Sequence, residues 1–186
     1  MQESVFTLPH AECPNPHHWH TDDGDSTEQE VSVIVGGLIR GLQPEYVVET
    51  GTAFGQTTVA IGTALRNNGH GRLVSLEVDP ERVTHSRQRC KNLPMVSILE
   101  QSSLDWIPQA PIDFMWLDSL PHLRGPELRR LLPHASNRCV IGIHDTTTHR
   151  DPLKGELAAM AEEGLIVPPL YLPTPRGVGF TRVAPK

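Results

Sequence analysis

Hydrophobic positions change their period several times along the chain, and each change predicts an element. Val31, Ile34, Val35, Leu38, Ile39 and Leu42 recur at steps of three and four, which marks one apolar helix face. Thr27 with Glu30 three residues later reads as a capping box before that face, and Pro44 closes the segment. Tyr46 to Glu49 is a short strand. A second helix from Gln56 to Asn67 carries Val59, Ala60, Ile61, Ala64 and Leu65 on a broad apolar side, and Asn68-Gly69-His70-Gly71 stops it. Leu73 to Val78 is the next strand, and Asp79-Pro80 reads as an N-cap and first-turn proline for a helix running to about Cys90. Further strands are predicted at Met95–Leu99, Asp113–Leu117 and Cys139–Ile143. Leu123, Leu128, Leu131 and Leu132 place a helix before the last of these. Pro152 opens another helix with Leu153, Leu157, Met160 and Ala161 on one face, ended by Gly164. Ile166–Leu172 and Gly177–Val183 close the chain as two strands around Pro173-Thr174-Pro175-Arg176.

The early strands are short, continuously apolar and alternate with helices, so they belong in a parallel sheet covered on both faces. The fold class is α/β: a Rossmann-like, doubly wound, mostly parallel sheet with an antiparallel C-terminal strand. Leu104–Pro111 is too short for a full helix. Residues 1–26 are polar, rich in proline and histidine, and without a period; they read as a flexible arm or lid. Residues 27–186 form one domain, as a length of 186 residues suggests.

A net charge of −6 gives no broad basic footprint for nucleic acid or an anionic membrane. Cys13, Cys90 and Cys139 are few, odd in number and widely spaced, so no disulfide framework or Cys-rich zinc site is written here, and a cytoplasmic setting is expected. The first twenty residues lack the pattern of a signal peptide, and no apolar run approaches membrane-spanning length.

In such a sheet, ligands bind outside the carboxyl ends of the strands, which singles out the residues just after each one. Glu49, Gly51 and Gly55 follow the first strand. Ala53 occupies the middle site, so the turn is neither a full G-x-G-x-x-G nor a P-loop. Glu77 ends the second strand, where a carboxylate can accept both hydroxyls of a ribose; Asp79 serves mainly as a cap. Strand, glycine turn, helix, strand and acid in that order favour a nucleotide-like cofactor over a plain turn and a plain cap. Asp118 and Asp145 follow the fourth and fifth strands. Two carboxylates sharing a site need a cation or a proton between them, and Mg²⁺ or Mn²⁺ suits such ligands. Neighbours on an extended strand point to opposite faces, so only one of His144 and Asp145 is expected in the pocket. The alternative is structural: Asp118 caps the turn Ser119–His122, Asp145 accepts backbone bonds from 146–148, and His144 donates to a core carbonyl. His122 is a candidate base for an acceptor hydroxyl, or a turn-stabilising residue. His17, His18, Trp19 and His20 are part of a lid, a second metal contact, or a flexible surface arm. Trp106 and Trp116 are core or pocket-wall aromatics.

Val48-Glu49-Thr50-Gly51-Thr52-Ala53-Phe54-Gly55-Gln56-Thr57-Thr58 resembles the first motif of the class I S-adenosylmethionine-dependent methyltransferases. Arg72-Leu73-Val74-Ser75-Leu76-Glu77-Val78-Asp79-Pro80 resembles their second, and the likeness runs over residues 28–183. It implies that Glu49, Gly51, Thr52, Ala53, Phe54, Gly55 and Thr57 meet the methionine part of the cofactor, and that Glu77 and Val78 meet its ribose side. Ser102 and Ser103 fall where the family often carries an acid near the adenine, and Asp118 also borders the cofactor. Within the family the chain is similar to bacterial small-molecule O-methyltransferases of the sugar- and antibiotic-tailoring type. Several of these hold a divalent ion after the fourth and fifth strands. The matching positions are Asp118 and Asp145, with Thr146 or His144 as neighbour; Thr146 departs from the Asn of catechol-type relatives.

The function implied is methyl transfer from S-adenosylmethionine to a small-molecule acceptor, at a hydroxyl oxygen before an amine, assisted by Mg²⁺ or Mn²⁺ or by His122 as base. Two other classes stay open: an NAD-dependent oxidoreductase, which the broken glycine spacing disfavours, and a non-enzymatic module that binds a nucleoside or a partner. A nucleic-acid methyltransferase ranks low, because Arg124, Arg129 and Arg130 make no groove and no Asn/Asp-Pro-Pro-Tyr/Phe signature occurs. A homodimer or higher homo-oligomer is expected, with a second copy over the first helix or the segment Pro168–Pro175; the alternative is packing within one chain.

Overall fold

Unbroken burial along Tyr46–Thr50 (β1) and Ile112–Leu117 (β4) marks the centre of the sheet in the computed structural model, which describes residues 13–147 and 153–185. Side chains alternate across each strand. Val47, Phe114 and Trp116 therefore pack on one face with Ile39, Ile61 and Leu65, while Val48, Met115 and Ile141 pack on the other with Leu128, Leu157 and Met160. The first face is covered by the helices Gln29–Leu42 (α1) and Gln56–Asn68 (α2), the second by Pro121–Leu131 (α4) and Leu153–Glu162 (α5). Pro80–Arg89 (α3) sits at the sheet's flank, with Val83 packed on Leu93 and Ile98.

The remaining strands are Arg72–Glu77 (β2), Val96–Glu100 (β3), Ala135–His144 (β5), Leu170–Leu172 (β6) and Val178–Arg182 (β7). They are ordered β3-β2-β1-β4-β5-β7-β6, with β7 antiparallel to both neighbours and the other six strands sharing one direction. The chain runs outward from β1 to β3 and then crosses back to β4, so the strand order reverses between β1 and β4. That reversal opens a crevice at their carboxyl ends. The strand exits are tied to one another there: Gly51 N–H donates to the Leu76 carbonyl at 2.9 Å, Asp118 N–H to that of Thr50 at 2.9 Å, and Gln101 N–H to that of Glu77 at 2.9 Å.

The doubly wound sheet and its antiparallel return agree with the pattern in the sequence. Asp79 caps α3 by accepting from the N–H groups of Glu81 and Arg82. Several details differ. The capping box does not form: Glu28 holds the N-cap position, the Thr27 hydroxyl reaches Asp118, and Glu30 accepts from His20. Long-range partners have outcompeted the local ones. The apolar stripe of α1 is narrower than its spacing suggests, because Val31, Val35 and Ile39 are buried while Ile34 and Leu42 stay exposed. β6 keeps only three of the seven expected residues. Pro168 and Pro169 have no N–H for a ladder, and before them only the isolated bridge Ile166–Val183 remains. Pro152 lies outside the described residues. No helix among the described residues is long and apolar enough to cross a membrane.

Candidate functional site

The turn after β1 is built from three left-handed residues, Gly51 (φ 79°), Ala53 (φ 44°) and Gly55 (φ 82°). At Gly51 the need is doubled, since a Cβ there would lie 2.3 Å from the Asp118 carbonyl oxygen. The missing side chain thus lets the exits of β1 and β4 close on one another. Glu77 fixes the far side of the turn. One of its carboxylate oxygens accepts from Ala53 N–H at 2.8 Å, and the other from Val78 at 2.9 Å and Asp79 at 3.1 Å. Val78 next to it is 67% exposed, an apolar surface left open at the crevice. Phe54 lies under the Arg82 guanidinium and edge-on to His85.

Glu49 lies behind this turn, 1% exposed, where one oxygen accepts from Thr58 at 2.7 Å and Ser75 at 2.6 Å. Burial pushes its carboxyl up to about 8, so it is protonated at neutral pH. Ser75 in turn meets Thr52 at 2.5 Å, so Glu49 supports the turn through a hydroxyl relay. Thr57 pairs with Ser32 of α1 at 3.2 Å. Ser102 accepts from Leu104 N–H, and the Ser103 hydroxyl is spent on Glu127. Glu127 was not singled out in the sequence, where it reads as one more polar helix residue. It is fully buried and gathers the hydroxyls of Thr50, Ser103 and Ser119, which joins the exits of β1, β3 and β4.

At the other half of the crevice the structure brings Asp118, His144 and Asp145 together, with one ligand-type atom of each within 4.8 Å of the others. The expectation that His144 and Asp145 face opposite ways fails for a local reason. β5 ends at His144, and Asp145 turns into the left-handed region (φ 54°), so both side chains enter one cluster. His144 is fully buried. Its Nδ1 meets Asp118 at 2.9 Å and its Nε2 meets Glu28 at 2.6 Å. Burial alone would lower its pKa, but the Asp118 and Asp145 carboxylates and the Glu28 hydrogen bond outweigh it and hold the ring at about 10. His144 is therefore an imidazolium with both nitrogens engaged. It has no lone pair for a metal ion or for taking a proton, which corrects its reading as a neighbour in the ion site. The alternative that it donates to a core carbonyl also fails.

Arg124 and Arg176 complete the cluster. Arg124 Nη2 donates to Asp145 at 2.8 Å and lies 3.3 Å from Asp118, and its Nη1 donates to the His144 carbonyl at 2.7 Å. Arg176 takes both oxygens of Asp145, through Nε at 2.6 Å and Nη2 at 3.1 Å. Burial would raise the Asp145 carboxyl, but His144, Arg124 and Arg176 pull it far below the carboxylate range. Sequence pattern offered no signal for either arginine: Arg124 sits in a basic helix, and Arg176 in a proline-rich turn.

A strap from the N-terminal side closes over these residues. Glu28, which is 0% exposed, accepts from the Arg176 N–H at 3.0 Å as well as meeting His144. Thr27 donates to Asp118 at 2.5 Å, Gln56 to the Thr27 carbonyl at 2.7 Å, and Arg176 to the Ser26 carbonyl at 3.1 Å. Asp22 and Asp25 bind Arg89 and Arg82 of α3. His20 pairs with Glu30, away from the acid cluster, while Trp19 packs on the core of the first face. His122 lies exposed in the first turn of α4, and its side chain makes no hydrogen bond among the described residues.

The set Asp118, Asp145 and Thr146 does not fit a divalent ion. Thr146 does have a buried hydroxyl without a partner. Every oxygen of the two aspartates, however, already faces a donor: His144 and Arg124 on one side of Asp118 and Thr27 on the other, Arg176 and Arg124 on Asp145. Three carboxylates, those of Glu28, Asp118 and Asp145, face three cations, His144, Arg124 and Arg176. Charge is balanced, and an added double positive charge would meet no free carboxylate.

Residues 48–146, just over half of the chain, match a family described as a methyltransferase domain. No match was found among curated protein sequences. Among solved structures the fold is similar to a methyltransferase of Podospora anserina bound to S-adenosylhomocysteine, at 16% identity over 90% of this chain and 84% of that one (TM-score 0.76). It is also similar to an O-methyltransferase of Streptomyces achromogenes involved in tomaymycin synthesis, in complex with S-adenosylmethionine, at 16% identity over 87% and 82% (TM-score 0.73). A third is an O-methyltransferase of Bacillus cereus with S-adenosylhomocysteine, at 16% identity over 86% and 83% (TM-score 0.72).

Proposed function

The chain belongs to the S-adenosylmethionine-dependent methyltransferases, and on that premise we propose that it methylates a hydroxyl oxygen of a small-molecule acceptor. Membership in that family removes the oxidoreductase and the non-catalytic binding module from consideration. The observation that carries the reading is the crevice at the strand reversal, where the left-handed turn, Glu77 and exposed Val78 stand beside Asp118. Glu77 is oriented by three N–H groups, and the oxygen that accepts only from Ala53 N–H keeps accepting capacity for a ribose hydroxyl. Val78 offers the base an apolar surface, and Ser102 and Ser103 follow β3, whose Glu100 pairs with Glu77. Bound there, the cofactor supplies an electrophilic methyl group.

The protein's own task is then alignment, since holding two reactants in an attack geometry supplies much of the acceleration. The strap 26–28 shields the acceptor side from water through its contacts with Asp118, His144 and Arg176. His122, free of other hydrogen bonds among the described residues, takes the acceptor proton. Oxygen is preferred over nitrogen because solved structures of the same fold include O-methyltransferases. A cytoplasmic setting, supported by three unpaired buried thiols, belongs to the same proposal. So does a second copy over exposed Val33, Ile34 and Leu42 of α1; light scattering of a strict monomer at micromolar concentration removes that part. The test of the whole is transfer of labelled methyl from S-adenosylmethionine to a panel of phenols, sugars and amines. Label on hydroxyl acceptors supports the proposal, and label on amines alone overturns the choice of oxygen.

A further inference from the structure

We propose that the guanidinium pair Arg124–Arg176 stands in place of a divalent cation at the crevice, so that this chain holds Asp118 and Asp145 together without a metal. The likeness to metal-holding O-methyltransferases and the convergence of Asp118, His144 and Asp145 both lead to an ion at this point. What lies there is protein. Arg124, 2% exposed, reaches from α4 between the two aspartates, and Arg176 grips Asp145 from the turn before β7. A fixed planar fork suits two carboxylates as an ion does, and a guanidinium keeps its charge at every working pH.

The pair also does what an ion at this point would not. The peptide N–H and Nη1 of Arg176 hold Glu28 and the Ser26 carbonyl, so the same residue that neutralises Asp145 fastens the strap across the strand ends. Arg124 meanwhile binds the His144 carbonyl, which fixes the last residue of β5 before the chain turns at Asp145. Arg124 and Arg176 are therefore positioning residues: they set Asp118, Asp145 and the strap and need not touch the acceptor.

The proposal rests on the methyltransferase reading only for the location of the crevice, and the experiment separates the two. Mn²⁺ is titrated into the full-length chain and followed by electron paramagnetic resonance, while S-adenosylhomocysteine binding is measured by calorimetry on the same samples. The wild type is expected to take up no Mn²⁺ at this site. Arg176→Ala removes the Nε donor from one Asp145 oxygen, and Arg124→Ala removes one donor each from Asp118 and Asp145; both are expected to gain Mn²⁺ affinity at least tenfold, with Asp145→Asn in the same background cancelling the gain. Arg124→Lys keeps the charge and is expected to keep Mn²⁺ out. If Arg124→Ala does not fold, the wild type and Arg176→Ala, whose side chain is partly exposed, still decide. Stoichiometric Mn²⁺ uptake by the wild type that Asp145→Asn abolishes would overturn the proposal. So would folded Arg→Ala variants that gain no Mn²⁺. Loss of S-adenosylhomocysteine binding with Mn²⁺ exclusion intact counts against the methyltransferase reading instead.

Discussion

Two buried groups, Glu49 and His144, hold a proton in the fold more tightly than in the unfolded chain, and each leaves a mark on stability. The Glu49 carboxyl rises from an ordinary value of 4.5 to about 8, so its contribution is complete below pH 4.5 and declines as pH rises to 8. Glu49→Gln keeps a neutral acceptor for Thr58 and Ser75 and removes that decline. Urea unfolding is expected to show the variant gaining on the wild type steadily between pH 4.5 and 8; parallel curves would mean that Glu49 is ionised in the fold. His144 rises from 6.5 to about 10, so its contribution is complete below 6.5 and is lost as pH climbs through 10. Asp145 works in the opposite sense: its pKa is lowered, and its contribution is lost as pH falls below 3.8. At Gly51, a Cβ against the Asp118 backbone together with the left-handed φ makes Gly51→Ala costly, by about 1–3 kcal/mol from the backbone alone. His122→Gln is expected to lower turnover of an identified hydroxyl acceptor about 10²- to 10⁴-fold while S-adenosylhomocysteine affinity stays level. Unchanged turnover would remove His122 as the base.

Elements were legible wherever local pattern decided them, and obscure wherever distant partners did. β1, β2, α2 and the Asp79 cap follow from runs, periods and a cap within ten or so residues of one another. The strap 22–28 does not, because Glu28 meets its partner His144 across 116 positions of sequence. A Thr-Glu pair before an apolar run reads as a capping box by any local rule, and only the fold reveals that Asp118 and His20 claim these two side chains. The turn at Asp145 was hidden for a related reason, since an extended strand was assumed one residue too far. The strap is also the element whose loss is felt most sharply. Glu28→Ala leaves the buried His144 cation short of a carboxylate, a loss of the kind that costs about 3–5 kcal/mol. Glu28→Gln keeps an acceptor for the Arg176 N–H and is expected to cost less. Thermal unfolding ranks the two, and a Glu28→Ala change as mild as a surface substitution would show that the strap is not fastened there.

For the molecule as a whole, the two halves of the crevice differ in how they are built. The half made by β1 and β2 rests on backbone geometry: a left-handed turn, a cap, and Glu77 accepting three N–H groups. Such features are written in glycines and acids at strand ends, which is why the turn and the acid beside it could be read from the sequence. The half made by β4, β5 and the strap rests on a balanced set of side-chain charges drawn from four separate stretches of chain. Two aspartates at strand ends were visible, but the arginines that neutralise them were not, and an ion was the natural inference. The account as a whole depends on S-adenosylmethionine lying against Glu77, and calorimetry with S-adenosylhomocysteine tests that most directly. The wild type is predicted to bind it and not NADH, and Glu77→Ala to bind it about 5- to 150-fold more weakly, the loss of about 1–3 kcal/mol in charged hydrogen bonds. A folded Glu77→Ala protein with wild-type affinity would contradict the account.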